Sequence, residues 1–518
     1  MLAKTFASAV FGVDARTITV EVEGGGPLGM AENFFMVGLP DNAVRESRTR
    51  IFSAFKNIRR KAPLVKLIVN LAPADIRKEG SAYDLPIAVG MAAATGIIPP
   101  DLLERYVLMG ELSLDGSLRP IRGALPIAIQ ARKEGFQGLI VPKANAREAA
   151  IVDKLNVYGI ENLSEALDFL EGNGDIKPTH YDTREVFNEA QGNYPVDFSD
   201  VRGQENIKRA MEIAAAGGHN AILIGPPGAG KTMLAKRLPT ILPSLGLQEA
   251  LDTTKIYSVA GLLGPDSSLI TERPFRSPHH TISDIALVGG GSHPHPGEIS
   301  LAHNGVLFLD ELPEFKRSVL EVLRQPMEER KVTISRAKIS VDFPASFMLI
   351  ASMNPCPCGF YNHPEKECVC GPGVIKRYLN KISGPLLDRI DLHVEVTPVS
   401  YNELADTDAR KGEPSAVIRD RVRKAREIQS ARFDTESDIN CNAQMPSSMV
   451  REVCTIDKAG TVLLKTAMEK LQLSARAYDR ILKVARTAAD LSGSKDIQIE
   501  HLAEAIQFRT LDRESWAE

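Results

Sequence analysis

The chain lacks both a long apolar run and an excess of one charge. No apolar stretch approaches the length of a membrane span, so we expect no membrane partner. The 62 basic and 66 acidic residues give a net charge of −4, so a DNA-binding surface must be local. The apolar stretch from Phe6 to Val13 is followed at once by Asp14 and Arg16, which predicts a first strand rather than a signal peptide.

Cysteine is scarce as well. Six cysteines in 518 residues exclude a disulfide scaffold. Four of them cluster, which predicts a reducing, cytoplasmic compartment and a metal site: Cys356, Cys358, Cys368 and Cys370. Four thiolates can close a tetrahedral zinc shell, but each pair is separated by one residue rather than the usual two to four. Free thiols in a loop remain the alternative. Cys441 and Cys454 stand apart and are predicted to be core residues or incidental.

The length predicts two to four domains, and a composition of 43% hydrophobic and 25% charged residues is typical of a globular protein. Alternating strand and helix patterns predict an α/β domain over residues 1–172. Several glycine and proline residues with few apolar positions predict a linker over 173–195. A second α/β module is predicted over 196–398, and a helical domain over 399–518.

A glycine-rich stretch lies between an apolar run, Ala221 to Ile224, and a helix-favouring segment. Glycines let main-chain N–H groups approach phosphate oxygens, and a helix N-terminus favours the anion. In this P-loop pattern the lysine reaches the β- and γ-phosphates and the threonine hydroxyl binds Mg²⁺. The predicted nucleotide-binding residues are Gly225, Pro226, Pro227, Gly228, Ala229, Gly230, Lys231 and Thr232.

Polar side chains follow two further apolar strand patterns. Asp310 and Glu311 end the first, and we predict that Asp310 holds Mg²⁺ while Glu311 polarises the attacking water. Asn354 ends the second and is predicted to place that water. Arg389 and Arg476 are candidates to stabilise charge on the transferred phosphoryl group, although either one alone is more typical of a surface salt bridge. The pattern therefore predicts ATP hydrolysis with Mg²⁺.

The N-terminal domain resembles the proteolytic domain of Lon proteases. The resemblance lies in Lys78 to Pro86, Gly110 to Gly116 and Leu139 to Pro142. That family uses a serine–lysine dyad, but Ala82 falls at the serine position, with Ser81 one place early. The stretch expected to carry the catalytic lysine, Pro120 to Ile127, contains none. Because a serine needs an adjacent base, we predict a proteolytically inactive domain.

In sequence order the ATP-site residues resemble an AAA+ ATPase of the magnesium-chelatase branch, and more closely the ComM/YifB family. The strings Arg273 to His280, Pro296 to Gly305 and Ser383 to Asp391 carry this resemblance, as does the domain order of Lon-like domain, AAA+ module and helical lid. The resemblance implies a homo-hexameric, DNA-binding branch-migration helicase acting in natural transformation. It also implies that Arg389 acts in trans and that Arg476 is a second sensor.

Two segments bear on DNA. The resemblance places a hairpin between Glu329 and Phe343 that points into the ring's pore, where Lys331, Arg336 and Lys338 contact phosphates. A solvated hairpin with ordinary basic residues is an equal alternative. The irregular insertion Val288 to Gly297 is predicted to be a mobile loop on the same face. Two other functions remain open, namely a chelatase-type subunit that remodels a partner protein and an ATP-dependent protease.

Overall fold

A computed structural model describes residues 1–25, 34–60, 65–189, 192, 194–264, 268–291, 294–336, 339–363, 365–398, 412–433 and 439–509. The chain divides into two compact units. The first contains Met1–Glu189 and Leu247–Thr271, and the second contains Ala190–Gly246 and Glu272–Glu518. Within the described ranges, no helix combines the length and the apolar character needed to cross a membrane.

The first unit is built on a mixed seven-stranded sheet. In sheet order its strands are Phe34–Val37, Leu67–Ala72, Asp14–Gly24, Leu2–Phe11, Tyr106–Leu108, Gly138–Pro142 and Asn156–Ile160. Two further strands, Glu111–Leu112 and Leu118–Arg119, pair with each other. The first strand predicted after the N-terminus is confirmed.

Helices cover this sheet. Their bounds are Asn42–Arg45, Ser47–Asn57, Asp84–Ala94, Ala124–Lys133, Lys143–Ala149, Leu163–Leu170, Thr183–Glu189 and Leu247–Ala260. Helix Asp84–Ala94 is buried along its whole length, as its apolar sequence predicts. Two of these helices were not anticipated: Thr183–Glu189 falls in the segment predicted as a linker, and Leu247–Ala260 comes from a segment predicted to belong to the second module.

The second unit is built on a parallel five-stranded sheet. In sheet order its strands are Phe275–Arg276, Val306–Leu309, Met348–Met353, Ala221–Ile224 and Leu392–Glu395. The three central strands are fully buried and almost wholly apolar, as expected for parallel strands covered on both faces. Two hairpins lie outside this sheet, one joining Lys331–Arg336 to Ile339–Pro344 and one joining Gly289–Gly290 to His295–Pro296.

The second unit also contains helices, which include a helical region after the last strand of the sheet. Their bounds are Glu205–Gly217, Lys231–Ile241, Asp284–Val288, Glu298–Leu301, Arg317–Glu321, Arg324–Glu329, Pro372–Leu379, Gly384–Leu387, Ser415–Arg432, Ser447–Val453, Lys458–Lys470, Ala475–Leu491 and Ile499–Gln507. A buried polar network joins this region to the sheet. Asp391 accepts hydrogen bonds from His219 Nδ1 at 3.0 Å and from Arg480. Although burial alone would raise the pKa of Asp391, Arg480 and His219 hold it well below its usual range.

Candidate ATP site

The P-loop follows a buried strand and needs glycine at defined points. A Cβ on Gly225 would lie 2.3 Å from the carbonyl oxygen of Val396, so the main chains approach too closely for any side chain. Gly228 and Gly230 have φ values of +78° and +85°, which L side chains rarely adopt. Helix Lys231–Ile241 begins directly after Gly230. The backbone therefore presents a turn and a helix N-terminus at one place, which suits a phosphate.

Lys231 lies folded into this turn. Its Nζ donates to the carbonyl oxygens of Gly225 at 2.6 Å and Pro226 at 2.9 Å, and to Asn354 Oδ1 at 3.1 Å. The side chain is 8% exposed, and this burial lowers the pKa of the amino group against the opposing charges of Asp310 and Glu311. Phosphate oxygens can take the place of the Gly225 and Pro226 carbonyl oxygens as hydrogen-bond acceptors. The Lys231 ammonium group is therefore positioned to bind an anionic ligand.

Thr232 and Asp310 meet at the ends of two different elements. Thr232 Oγ1 donates to Asp310 Oδ2 at 2.8 Å, and Ser352 Oγ donates to Asp310 Oδ1. A hydroxyl and a carboxylate are oxygen ligands of the kind that Mg²⁺ prefers. The residues present therefore fit a magnesium ion, with Thr232 and Asp310 as the residues that would hold it.

The main-chain conformation of Glu311, rather than a close side-chain contact, sets the direction of its side chain. It has φ 53° and ψ 50°, a left-handed conformation that is uncommon outside glycine. Its N–H donates to Asp310 Oδ1 at 3.1 Å, while its carboxylate is exposed, 3.8 Å from His280 Nδ1. This turn directs the carboxylate away from the buried strand, and a strained conformation of this kind is typical of functional sites.

Arg389 lies at the other edge of the same sheet. Its carbonyl oxygen accepts a hydrogen bond of 3.1 Å from Asn220, the residue before the P-loop strand. That strand, Ala221–Ile224, is four residues long, so its first and last Cα atoms are about 10 Å apart at about 3.3 Å per residue. Arg389 is 8% exposed and forms an ion pair with Glu328 at 2.6 Å. The structure does not bring Arg389 to the P-loop of its own chain.

Arg476 lies near Arg389 rather than near the P-loop. Its Nη1 is 3.5 Å from Asp388 Oδ2, and Asp388 directly precedes Arg389. The side chain is 63% exposed, at the start of helix Ala475–Leu491. Both predicted arginines therefore belong to the edge that is remote from the phosphate-binding turn.

The predicted hairpin is confirmed in the described residues, but its charges are not all free. Lys331 Nζ donates to Asp342 Oδ2 across the hairpin at 3.0 Å, and this pairing raises the pKa of Lys331. For Arg336 only the main chain is described, and Lys338 lies outside the described residues. The insertion predicted as a loop contains the small hairpin Gly289–Gly290 with His295–Pro296, while His293 lies outside the described residues.

The four clustered cysteines meet in space. Their sulfur atoms all lie within 4.8 Å of one another, and no cysteine of the cluster forms a disulfide. Cys441 and Cys454 lie apart from the cluster and are buried.

In the Lon-like turn of the first unit, Ser81 and Lys78 bond to different partners. Ser81 Oγ donates to the carboxylate of Glu111. Lys78 is fully buried, donates to the carbonyl oxygen of Pro73, and has a pKa lowered by burial. Neither contact joins the serine to an amine.

Two site residues were missed from the sequence. Ser352 is a fully buried hydroxyl within an apolar strand, and that single polar position was a usable signal. Tyr378 is buried near Asn354 and Glu314, and burial and the Glu314 charge raise the pKa of its hydroxyl. It lies 24 residues after Asn354 on another element, so no local pattern indicates its position.

The parallel sheet, its P-loop and the Asp–Glu pair after a strand two places away in the sheet define the AAA+ class of P-loop ATPases, which use ATP and Mg²⁺. Three magnesium-chelatase family models match the chain. They describe subunit ChlI over residues 197–404, subunit ChlI of Mg-chelatase over 20–145, and the ChlI C-terminal region over 412–509. The fold is thus a Lon-protease-like α/β domain, an AAA+ module and a C-terminal helical lid, as predicted.

Full-length relatives identify the family more closely. The competence protein ComM of Haemophilus influenzae is 44% identical over 516 residues, 99% of this chain and 98% of that protein. The uncharacterized protein YifB of Escherichia coli is 43% identical over 508 residues, 98% of this chain and 96% of that protein. Lon protease 2 of Bacillus subtilis is 28% identical over 192 residues, 32% of this chain and 33% of that protein. The chain belongs to the ComM/YifB family of magnesium-chelatase-like AAA+ proteins, which confirms the predicted family.

Proposed function

We propose that this protein is a homo-hexameric, ATP-driven motor that moves branched DNA during recombination or natural transformation in the cytoplasm. The observation that carries this proposal is that the predicted phosphate-binding residues and Arg389 lie at opposite edges of one sheet. The phosphate-binding turn follows strand Ala221–Ile224, and the Arg389 carbonyl contacts Asn220 at the other end of that strand, about 10 Å long. A complete site then requires a second copy of the chain, as in a ring.

In this proposal each residue at the phosphate edge has one task. Lys231 releases its carbonyl acceptors and pairs with the β- and γ-phosphates. Thr232 and Asp310 hold Mg²⁺, which neutralises phosphate charge. Glu311 orients and polarises the attacking water, and Asn354 helps to place it, since its amide contacts Lys231 at 3.1 Å. Ser352 positions the Asp310 carboxylate for this work.

The arginines act on the neighbouring subunit. Arg389 leaves Glu328 and stabilises the charge that develops on the transferred phosphoryl group, a contribution of about 10³-fold or more in related ATPases. Arg389 is 8% exposed, so its guanidinium must turn outward from Glu328 to make such a contact. Arg476, beside Asp388, is then available to the same neighbouring nucleotide.

The DNA contact rests on the hairpin. One of its faces is apolar and buried, with Val332, Ile334 and Phe343 no more than 7% exposed. The basic residues Lys331, Arg336 and Lys338 are proposed to contact phosphates from the rim of the pore. The Lys331–Asp342 pair must open for that, so we expect Lys331 to contribute less than a free lysine.

A magnesium-chelatase subunit that remodels a partner protein is the second candidate, and the three ChlI models favour it. The full-length match to a protein named for competence supports the DNA motor more strongly. A protease is disfavoured, because Ser81 contacts Glu111 rather than an amine. Besides ATP and Mg²⁺, we propose Zn²⁺ at the four-cysteine cluster.

Branched-DNA unwinding by the purified protein tests the function. We expect ATP-dependent strand exchange on a four-way junction, with ATP hydrolysis stimulated by DNA and abolished in Lys231→Ala. Absence of both DNA remodelling and DNA stimulation would remove DNA as the substrate and favour the chelatase-type alternative.

A further inference from the structure

The cysteine cluster has the dimensions of a zinc–thiolate site. The three shortest sulfur–sulfur separations are 3.3 Å for Cys356–Cys358, 3.5 Å for Cys358–Cys368 and 3.6 Å for Cys356–Cys368. In a tetrahedral site with zinc–sulfur bonds of about 2.3 Å, the sulfurs lie roughly 3.8 Å apart. A small adjustment of the side chains therefore centres an ion among all four.

The close approach of the four sulfur atoms favours a cation. Thiolates that lie within 4.8 Å of one another repel, and a metal ion bound among them offsets that repulsion.

The cluster segment is held by turns rather than by regular secondary structure. Between strand Met348–Met353 and helix Pro372–Leu379 there is neither helix nor strand among the described residues. The side chain of Val369 is 86% exposed, so this part buries little apolar surface. A cross-link that closes such a loop restricts its unfolded conformations, and metal binding then contributes directly to its stability.

This segment contacts the ATP site at two places. Gly359, with φ +85°, lies against the P-loop so closely that a Cβ would be 2.6 Å from Pro227 Cδ. Asn354, two residues before the first cysteine, accepts the hydrogen bond from Lys231. The first two cysteines of the cluster, Cys356 and Cys358, lie between these two contacts in the chain.

We propose that Zn²⁺ bound by Cys356, Cys358, Cys368 and Cys370 clamps this segment onto the P-loop, so that metal occupancy sets the affinity for nucleotide. The inference rests on the proposed ATPase function and adds a second ligand that controls it. Zinc loss frees the segment, Gly359 withdraws from Pro227, and Asn354 no longer fixes Lys231.

The first test uses the unmodified protein. Elemental analysis should find about one zinc per chain, and the affinity for a fluorescent non-hydrolysable ATP analogue should fall about tenfold or more after chelator treatment and dialysis. Adding Zn²⁺ back should restore it, and Mg²⁺ alone should not. Circular dichroism before and after chelation separates loss of the clamp from global unfolding.

Variants distinguish the loss of zinc from the loss of contact between the cluster segment and the P-loop. Cys358→Ser and Cys368→Ser should lose zinc and nucleotide affinity together, while Cys454→Ala, a buried cysteine outside the cluster, should keep both. Gly359→Ala should keep zinc but weaken nucleotide binding, because the added Cβ meets Pro227. That variant distinguishes contact with the P-loop from a general effect of metal on folding.

The outcomes are distinguishable. A zinc content well below one per chain overturns the metal site. Zinc-free protein that binds the analogue as tightly as loaded protein overturns the clamp while leaving the ATPase proposal intact. Loaded protein that binds no nucleotide at all overturns both, whereas normal zinc-dependent binding without any action on DNA overturns only the proposed DNA function.

Discussion

The two edges of the five-stranded sheet differ in how their charged groups are satisfied. At the carboxyl ends of the strands, Lys231, Asp310 and Ser352 form short contacts with other site residues. At the opposite edge, Arg389 and Arg476 pair with acidic residues that carry no assigned chemistry, Glu328 and Asp388. The first edge is complete within one chain. The second is held by ion pairs within the chain, which a neighbouring subunit would replace in the proposed ring.

The largest expected effect tests the phosphate edge. Lys231→Ala should abolish nucleotide binding, since no other ammonium among the described residues lies in the turn. Thermal unfolding should show the loss of binding. An ATP analogue at 100 times its Kd raises the free energy of unfolding of the wild type by about 2.7 kcal/mol, and the variant should gain no stability. Lys236→Ala, an exposed lysine on the same helix, is the control and should respond as the wild type does.

The next largest effect is expected at the edge of the sheet that carries Arg389. Arg389→Ala should bind the ATP analogue normally but lose about 10³-fold in hydrolysis rate. Mixing it with Lys231→Ala subunits should restore part of the rate, because each variant then supplies the half that the other lacks. No recovery at any mixing ratio would contradict an arginine that acts in trans.

A smaller effect is expected for Glu311. Glu311→Gln should bind ATP and hydrolyse it about 10²-fold more slowly, because the amide cannot polarise the water as a carboxylate does. Single-turnover kinetics would check it, with Glu321→Gln, a carboxylate paired with Arg324, as the control. Turnover at the wild-type rate would remove Glu311 from its proposed role.

The smallest expected effect concerns Glu328, the acidic partner of Arg389. Glu328→Gln removes the ion pair that holds Arg389, and Glu328 is 58% exposed, so we expect only a two- to threefold change, of about 0.5 kcal/mol. Hydrolysis should rise, or assembly should occur at lower protein concentration, as judged by light scattering with nucleotide. A fall in hydrolysis would mean that Glu328 orients Arg389 rather than restrains it.

Local patterns made much of the fold predictable. The apolar run before Gly225 and the glycine spacing after it predicted the strand, the turn and the helix, because all three depend on neighbouring residues. The hairpin over Lys331–Arg336 and Ile339–Pro344 was placed by the family resemblance, and the β-branched residues of this stretch are consistent with it. Family resemblance supplied the order of the domains.

The remaining features depend on contacts between distant residues. The Ser352–Asp310 contact spans 42 positions, and no spacing rule links them. The pairing of Arg389 with Glu328, and that of Lys331 with Asp342, likewise required the folded chain. A basic residue in a sequence shows a charge but not the partner that neutralises it.

The segment Leu247–Thr271 has a consequence for how the protein can be divided. The chain leaves the second unit directly after the P-loop helix, contributes this segment to the first unit, and then returns. Several of its residues, including Ala250, Ile256 and Val259, are buried there. A protein shortened to residues 190–518 would carry this helix without its surroundings and expose apolar surface. The Lon-like domain is therefore not a simple N-terminal extension, and we expect the ATPase module to be stable only when both units are expressed together.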